Sequence, residues 1–494
     1  MWRRRKLLLW TLGVLVLLGG ALAWRIHTWG RPLASVYVEV SPGTYARVHS
    51  PERYVAADTN GDGTIDEVSI QGANARRFST PHAEDPEARW LIVCLDGVPY
   101  EEFKALWDEG HFREFHRPVP VIAPFPSASG VALSALFHAS PVAGYEDGYF
   151  DRARNELSGG ALKTSTLADM PYVQLLDYDM PGWARGLAYV MPVKTFHADL
   201  GRFRTRFRQS QAKVYLAHLA STDSIYHVVP RGQARELLLE VEAVLRELYF
   251  DSGGKLRITL FSDHGNSLVQ NRPVPLDAHL AARGWRRTKK LGGPSDVVVP
   301  AYGLMGFFAA YCPPDQRAAL AHDLALLEGA DFVVYAEGDS VVVENAQGRA
   351  RVEWKADGSA FRYLPEGADP LRLGEVVARL REEKKLDAEG WASDADWLAA
   401  TAGHEHPDAL HRLRGWATNH VRNRADLVVN LKPGFHQGSA TFDRVVTMLS
   451  THGSFDASQS LGFATSTDGP LPGPLRAEEV LPRKAKTERG TGDS

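Results

Sequence analysis

The sequence predicts an α/β protein with a mostly parallel central sheet, flanked by helices, and two observations predict this class. Apolar runs of strand length at residues 91–95, 214–219 and 256–261 alternate with stretches of helical period, such as residues 232–250. This alternation is typical of a sheet covered by helices on both faces. The chain has 494 residues, 44% hydrophobic and 23% charged, so it is long enough to bury one large core with insertions.

Charge and cysteine content exclude several classes of function. The formal net charge is −4 and the pI is about 6.5, and no stripe of Arg and Lys is interleaved with aromatic residues. A nucleic acid is therefore not an expected partner. The only cysteines, Cys94 and Cys312, are far apart and form no C-x-x-C spacing, so neither a disulfide framework nor a thiolate zinc site is expected.

Residues 1–24 have the charge order of a secretory signal. Four basic residues at 3–6 precede an apolar stretch at 7–24. The "ALA" at 21–23 resembles a signal peptidase site, whereas the apolar length also suits an uncleaved membrane anchor. The sequence leaves a signal peptide and a membrane anchor open. Both predict an exported protein, periplasmic or extracellular, and an anchor would make the membrane a partner.

The next segment, residues 25–87, is interpreted as a small N-terminal β segment with a calcium-type loop. The stretch "DTNGDGTID" places oxygen side chains at alternate positions around two glycines, and they are Asp58, Asn60, Asp62 and Asp66. It resembles the calcium loops of EF-hands and of FG-GAP hairpins. Ser69 stands where an EF-hand has its bidentate Glu, and the flanks have the pattern of strands, so the hairpin form is favoured. The alternative is an Asx-rich turn that needs no metal.

Acidic and imidazole side chains follow the apolar runs at the points where each run ends. An additional run at 445–449 is interpreted as a further strand of this kind. The residues concerned are Asp96, Asp223, His227, Asp263, His264 and His452. Since ligands collect at the carboxyl ends of the strands in α/β sheets, we expect these side chains to converge.

Six such groups in one cleft require positive charge to offset them. Mixed oxygen and nitrogen ligands without sulfur suit zinc, and manganese is possible. Because six ligands exceed one tetrahedral site, the pattern favours two ions. Any one of these residues, taken singly, is better explained as a hydrogen-bonded polar group at a strand end, whereas all six at repeated strand ends favour metal ligands.

Two serines precede a stretch that starts like a helix. In "FPSASGVALSALF", Ser127 and Ser129 stand before an apolar run of helical character. The amino end of a helix offers free backbone amides to a phosphate. The alternative interpretation is a serine N-cap without a chemical role.

Five motifs in sequence order carry a resemblance to a known family. They are "LIVCLDG", "FPSAS", "STDSIYH", "FSDHG" and "STHGS". Together they resemble the metal and nucleophile motifs of the alkaline phosphatase superfamily, in particular its type I phosphodiesterase/nucleotide pyrophosphatase branch. The resemblance covers roughly residues 88–480 and implies an alkaline phosphatase-like catalytic domain at 88–482.

The resemblance also implies the roles of these residues. One zinc ion would be held by Asp223, His227 and His452, and a second by Asp96, Asp263 and His264. Ser129 would be the nucleophile on the second metal, and Ser127 is the competing register. The implied reaction is hydrolysis of a small-molecule phosphodiester through a phosphoserine.

The sequence departs from the family at positions that affect the substrate. Ser129 replaces the Thr common in the branch, and Ala132 lies near the place where the branch usually has Asn. No Arg adjoins Ser129, as it often does in phosphomonoesterases. Neither cysteine provides the C-x-P-x-R context of a sulfatase. A phosphomonoesterase, a phosphonate hydrolase and a catalytically inactive surface binding module remain the alternatives.

Residues from about 273 to 419 are interpreted as an inserted α+β cap over the site. Within it, His404, His406 and His411 are expected to be surface histidines rather than metal ligands. The last residues, 483–494, are polar and expected to be disordered.

Overall fold

A computed structural model of the chain describes residues 29–72, 75–79, 87–160, 170–418 and 421–482. The predicted signal or anchor at 1–24 and the predicted disordered tail at 483–494 lie outside these residues. Among the described residues, no helix combines the length and the apolar character needed to cross a membrane.

The central sheet has six strands and confirms the predicted α/β class. In spatial order they are Val214–Leu219, Arg89–Leu95, Leu256–Phe261, Leu461–Ser466, Val119–Ile122 and Leu475–Arg476. The first three run parallel to one another, the fourth is antiparallel to both of its neighbours, and the last two are parallel. Five of the six strands therefore run in the same direction and Leu461–Ser466 is reversed, so the sheet is mostly parallel, as predicted, and three of the predicted strands are neighbours within it.

Both faces of this sheet are buried, as the apolar runs require. On strand Arg89–Leu95, Leu91 and Val93 belong to one core and Ile92 and Cys94 to the other, because successive side chains of a strand point to opposite faces. Three helices cover the first face, Tyr100–Asp108, Pro192–Gln209 and Arg231–Ser252. Helix Ser129–Leu136 and residues of the cap cover the other face.

The remaining helices connect these layers and belong largely to the cap. The other described α-helices are Gly182–Ala188, Ser221–Val228, Leu276–Ala282, Arg317–Ala325, Gly374–Glu382, Asp394–Thr401, Ala409–Thr418, Ala440–Val445 and Ala457–Ser460. Short 3-10 turns occur at Pro171–Leu175, Pro314–Gln316 and Ala477–Glu479.

The strand predicted at 445–449 is wrong. Helix Ala440–Val445 ends there, and an irregular segment continues to His452. The backbone that follows is hydrogen-bonded to the loop at 266–268 instead of to a strand. The Thr451 amide donates to Ser267 Oγ at 3.2 Å, and the Thr451 carbonyl accepts from the Ser267 amide at 2.9 Å. The apolar residues of this run alternate between burial and exposure, with Val446 at 5% and Val445 at 70%, because the run packs beside the site and not inside the sheet.

The N-terminal segment is a five-stranded antiparallel meander. Its strands are Tyr37–Ser41, Thr44–Arg47, Arg53–Ala57, Glu67–Gln71 and Arg76–Ser79. The two flanks of the calcium-type loop are paired strands, as the sequence indicated. The rings of Tyr37, Tyr45 and Tyr54 lie with their centroids 5.2–5.5 Å from that of Phe250, which fastens the meander to helix Arg231–Ser252.

The cap is built on a seven-stranded antiparallel sheet. In spatial order its strands are Phe307–Ala310, Leu427–Leu431, Ala330–Glu337, Ser340–Glu344, Gly348–Trp354, Ala360–Gly367 and Trp391–Ser393. Strand Leu427–Leu431 follows the predicted insertion in sequence, so this sheet takes in chain from beyond residue 419. Smaller paired strands are Gly148–Asp151 with Glu156–Gly159, Arg286–Arg287 with Asp296–Val297, and Phe435–Gly438 with Arg272–Pro273 and Leu304–Met305.

The expectation of surface histidines in the cap is wrong for His406. Its side chain is buried, its Nε2 lies 3.5 Å from Asp331 Oδ2, and its ring packs edge-on against Phe332 and Phe455. This histidine packs between strand Ala330–Glu337 and the segment around Phe455. The sequence pattern gave no sign of these contacts, because the partners of His406 come from distant segments.

Candidate active site

The predicted nucleophile and all six predicted metal ligands lie together at the carboxyl ends of the parallel strands. Asp96 follows Arg89–Leu95, Asp263 and His264 follow Leu256–Phe261, and Asp223 and His227 lie one turn apart on helix Ser221–Val228. His452 approaches from the irregular segment after Ala440–Val445. These six residues, the predicted ligand set, are each at most 8% exposed.

Ser129 is the first residue of helix Ser129–Leu136, and its hydroxyl faces the ligand set. Its Oγ donates to Asp96 Oδ1 at 3.1 Å and lies 3.0 Å from His264 Nε2. As the first two residues of a helix, Ser129 and Gly130 have amides without an intrahelical acceptor. The Ser129 hydroxyl therefore lies beside one carboxylate and one imidazole, at the helix end whose first amides have no intrahelical acceptor.

Ser127 is directed elsewhere. Its Oγ bonds to the carbonyls of Pro124 and Ser454, and it accepts a hydrogen bond from Arg412 Nη2 at 3.1 Å. The side chain is fully buried. Of the two serines, only Ser129 contacts the ligand set through its hydroxyl.

Two overlapping clusters make up the ligand set. In the first, Asp223 Oδ1 lies 3.0 Å from His227 Nε2 and 3.6 Å from His452 Nε2. In the second, His264 Nε2 lies 3.5 Å from Asp96 Oδ1 and 3.4 Å from Asp263 Oδ2. The rings of His264 and His452 stack with centroids 3.8 Å apart, and His264 joins both groups whose ligand atoms lie within 4.8 Å of one another: Asp223, His264 and His452, and Asp96, Asp263 and His264. The predicted ligand His227 belongs to neither of these groups and approaches the first through Asp223.

A glycine permits the close approach of two of these segments. Gly97 has a φ of +69°, and a Cβ at this position would lie 2.6 Å from Asp223 Oδ1. Gly97 N also donates to Asp263 Oδ1 at 3.1 Å. Any larger residue at position 97 would push Asp223 out of the site and strain the backbone.

The histidines of the predicted ligand set, His227, His264 and His452, all present the same ring nitrogen, Nε2, to the site. In each, Nδ1 lies 2.8–2.9 Å from a backbone carbonyl, which fixes the proton on Nδ1. The acceptors are Ser450 O for His227, Gly265 O for His264 and Ser127 O for His452. The Nε2 lone pairs are therefore free to bind a cation, which is the usual arrangement of a metal-binding histidine.

Two buried carboxylate oxygens without hydrogen-bond donors indicate whether a cation fits this site. Asp223 Oδ1 and Asp263 Oδ2 are buried without a hydrogen-bond donor among the described residues, although buried polar atoms are normally paired. Burial and the neighbouring charge of Asp96 raise the pKa of Asp263 to about 7, and burial and the charge of His264 lower the pKa of His452. A donor set of oxygens and imidazole nitrogens with unpaired lone pairs fits divalent cations of the zinc class.

Four polar side chains that the sequence did not single out surround this set. His218 Nε2 bonds to Asp96 Oδ2 at 2.9 Å and His218 Nδ1 to Asp179 Oδ1 at 3.1 Å. Asp179 in turn accepts from Arg185 Nη2 at 2.7 Å. Tyr189 donates its hydroxyl to Asp223 Oδ2 at 3.1 Å. These contacts hold the two ligand carboxylates in place.

A histidine inside an otherwise apolar strand was the only sequence signal for this chain of contacts. His218 lies in Val214–Leu219, where all six residues are buried. Burial by itself would lower the pKa of His218, but its hydrogen bonds to Asp179 and Asp96 raise that pKa to about 10.

The calcium-type loop forms its own internal hydrogen bonds. Asp58 accepts from the amides of Gly61 and Gly63, each at 2.7 Å, and Asp66 accepts from Thr59. Asn60 and Asp62 accept from amides two residues ahead. The four oxygen side chains thus gather around one loop, in the contacts that an Asx-rich turn would also make.

Comparisons with known proteins gave structural neighbours but no sequence relatives. No family model and no curated protein matches the sequence. Phosphonoacetate hydrolase from Sinorhizobium meliloti is 12% identical over 84% of this chain and 98% of its own, with a TM-score of 0.43. Human ectonucleotide pyrophosphatase/phosphodiesterase 5 is 10% identical over 81% of this chain and 94% of its own, also with a TM-score of 0.43.

Proposed function

We propose that the chain is an exported, metal-dependent phosphoesterase of the alkaline phosphatase superfamily that cleaves phosphodiesters through a phosphoserine on Ser129. The observation that carries the proposal is the position of the Ser129 hydroxyl, 3.1 Å from Asp96 Oδ1 and 3.0 Å from His264 Nε2, among six buried ligand groups. A serine without a chemical role would not need such surroundings.

Two cation sites follow from the ligand set. Asp223, His227 and His452 would hold one ion, and Asp96, Asp263 and His264 the other, with zinc favoured over manganese by the imidazoles. When bound, such ions supply positive charge that lowers the pKa of a serine hydroxyl and offsets the charge of a phosphoryl group.

The chain's own residues then account for the steps. Asp96 and His264 orient the Ser129 oxygen, which attacks phosphorus as the bond from phosphorus to the first alcohol breaks, and the proton of the Ser129 hydroxyl ends on that alcohol. The amides of Ser129 and Gly130 donate to a phosphoryl oxygen, in place of the Asn that the branch usually supplies. Water then attacks the phosphoserine, frees Ser129 and releases the phosphate product.

Preference for a diester follows from the charge near the nucleophile. Ala132, near the place of the usual Asn, is fully buried and offers no donor. Arg185 lies in the same cavity, but its charge is paired with that of Asp179 at 2.7 Å. A monoester dianion would therefore find no uncompensated cationic side chain there, whereas a diester carries one charge less.

The proposal that the protein is exported is supported by residues 1–24, in which basic residues precede an apolar stretch. If this segment is an anchor, the enzyme stays at the membrane; if it is a cleaved signal, the enzyme is released. N-terminal sequencing of the mature protein distinguishes the two.

One set of measurements tests the activity. Purified protein is analysed for metal, then assayed with bis(4-nitrophenyl) phosphate and with 4-nitrophenyl phosphate. We expect about two zinc-class ions per chain and faster turnover of the diester. Ser129→Ala should abolish turnover while keeping the metal, and His452→Ala should lose metal and activity together.

The alternatives correspond to other outcomes of the same assay. A monoester turned over a hundredfold better would make the protein a phosphomonoesterase. With phosphonoacetate added as a third substrate, release of phosphate from it while neither ester is cleaved would make the protein a phosphonate hydrolase. Full activity of Ser129→Ala, or full activity after exhaustive chelation, would refute the mechanism. An inactive surface module would turn over none of the substrates.

A further inference from the structure

The active site opens into a cavity much larger than a phosphoryl group needs. Ser129, Asp96, Asp223 and His452 line a cavity of about 760 Å³. Pockets of roughly 300–1,000 Å³ hold ligands of drug size. A substantial group attached to the phosphate can therefore be bound here.

The lining of this cavity is rich in methionine. Four of the chain's six methionines contribute to it, and they are Met170, Met180, Met305 and Met448. Methionine is flexible and polarizable, so it adapts to apolar groups of variable shape. Such a lining suits an apolar chain better than a rigid, polar ring system.

Three polar side chains of the same cavity are already engaged, whereas the buried Tyr145 hydroxyl has no hydrogen-bond partner among the described residues. Tyr189 donates to Asp223 at 3.1 Å, Arg185 pairs with Asp179 at 2.7 Å, and Glu146 accepts from Gly303 N at 2.7 Å. A nucleobase is recognised by unengaged donors and acceptors placed at its edge. These three side chains are therefore poorly placed to read a base.

The mouth of the cavity carries unusual apolar exposure. Among the described residues, the three most exposed large hydrophobic side chains are Val445 at 70%, Val190 at 64% and Trp183 at 58%, and all three line this cavity. Exposed apolar groups gathered at one place mark an interaction surface. Tryptophan in particular is favoured at the boundary between water and lipid.

We propose that the substrate is an amphiphilic phosphodiester whose long alkyl chain occupies the methionine-lined cavity and which is drawn from a lipid surface contacted by Trp183, Val190 and Val445. This inference rests on the proposed phosphodiesterase activity and specifies its substrate class. In the reaction the bond from phosphorus to one alcohol oxygen breaks. Water supplies the hydroxyl that ends on phosphorus and the proton that replaces the one the Ser129 hydroxyl gave to the alcohol.

A homologous series of soluble esters tests the cavity. The full-length protein is assayed with 4-nitrophenyl alkyl phosphodiesters from methyl to octyl, and with the 4-nitrophenyl ester of thymidine 5′-monophosphate. If each added methylene is buried, kcat/KM should rise about fourfold per methylene until the cavity is filled. The octyl ester should exceed the nucleoside ester.

Two results would overturn the inference in distinguishable ways. If the esters are hydrolysed but kcat/KM does not depend on chain length, or the nucleoside ester is preferred, the substrate class is wrong and the phosphodiesterase activity stands. If no ester of the series is hydrolysed, the proposed activity fails and the inference fails with it.

A pair of variants tests the lipid surface. The octyl ester is presented in vesicles of phosphatidylethanolamine and phosphatidylglycerol, and its turnover is divided by that of the methyl ester in solution. Val445→Glu should lower this ratio roughly tenfold, because a buried valine contributes about 1.5 kcal/mol or more. Val40→Glu, at a residue 55% exposed on the N-terminal meander and not in the cavity lining, is the matched control and should leave the ratio unchanged. An equal effect of both variants, or of neither, would overturn the docking role of the mouth.

Discussion

Removal of the His218 imidazole should weaken metal binding without removing a ligand. His218 holds Asp96 Oδ2 at 2.9 Å, which leaves Asp96 Oδ1 facing Ser129 and His264. A hydrogen bond to a charged group contributes about 1.5–3 kcal/mol, which corresponds to roughly 10- to 150-fold in affinity. Loss of a residue that orients a metal ligand typically costs 10- to 100-fold. We therefore expect His218→Ala to lower zinc affinity by 10- to 100-fold.

The measurement is competition between the chelator-stripped protein and a chromophoric zinc chelator, followed by kinetics at saturating zinc. His218→Gln keeps a donor for one carboxylate and should lose less affinity than His218→Ala. His197→Ala is the matched control, because His197 is also buried and paired with a carboxylate, Glu240 at 3.0 Å, but that carboxylate is not one of the predicted metal ligands. Zinc affinity of His218→Ala within twofold of wild type would refute the argument that this histidine positions Asp96.

Three further predictions concern stability. Ser127→Ala should lower the free energy of unfolding, measured by urea denaturation, by about 1–3 kcal/mol, because buried Arg412 loses a hydrogen-bond acceptor. The metal-loaded variant should keep its turnover. A loss of turnover like that of Ser129→Ala would contradict this prediction. Burial by itself would lower the pKa of His411, but its hydrogen-bond partners Asp394 and Glu478 raise that pKa to about 9. The contribution of His411 to stability, at most about 3 kcal/mol, is therefore complete below pH 6.5 and is lost as pH rises through 9. The stability difference between wild type and His411→Gln should be present at pH 6 and absent above pH 10, and a constant difference would rule this out. Calcium should raise the Tm of the wild type without changing turnover, and Asp58→Ala should abolish that rise; an unchanged calcium response would show that the loop is only an Asx-rich turn.

The sequence by itself determined the α/β class and the residue types of the site. Apolar runs that stop at Asp96 and at Asp263 mark strand ends, because a parallel sheet buried on both faces requires continuous apolar strands and exposes its carboxyl edge to ligands. The family resemblance of the five motifs in order then predicted that Ser129 is a nucleophile and not an ordinary N-cap. These features are local in sequence, so they could be predicted from it.

Only the tertiary structure decided which groups support the ligands. His218 bonds to residues 39 and 122 positions away in the chain, and no periodic pattern predicts partners at such separations. The apolar run before His452 became an irregular segment, because its backbone pairs with the loop at 266–268 and half of its side chains face solvent. The methionines that share one cavity are likewise scattered between residues 170 and 448, and only long-range packing brings them together.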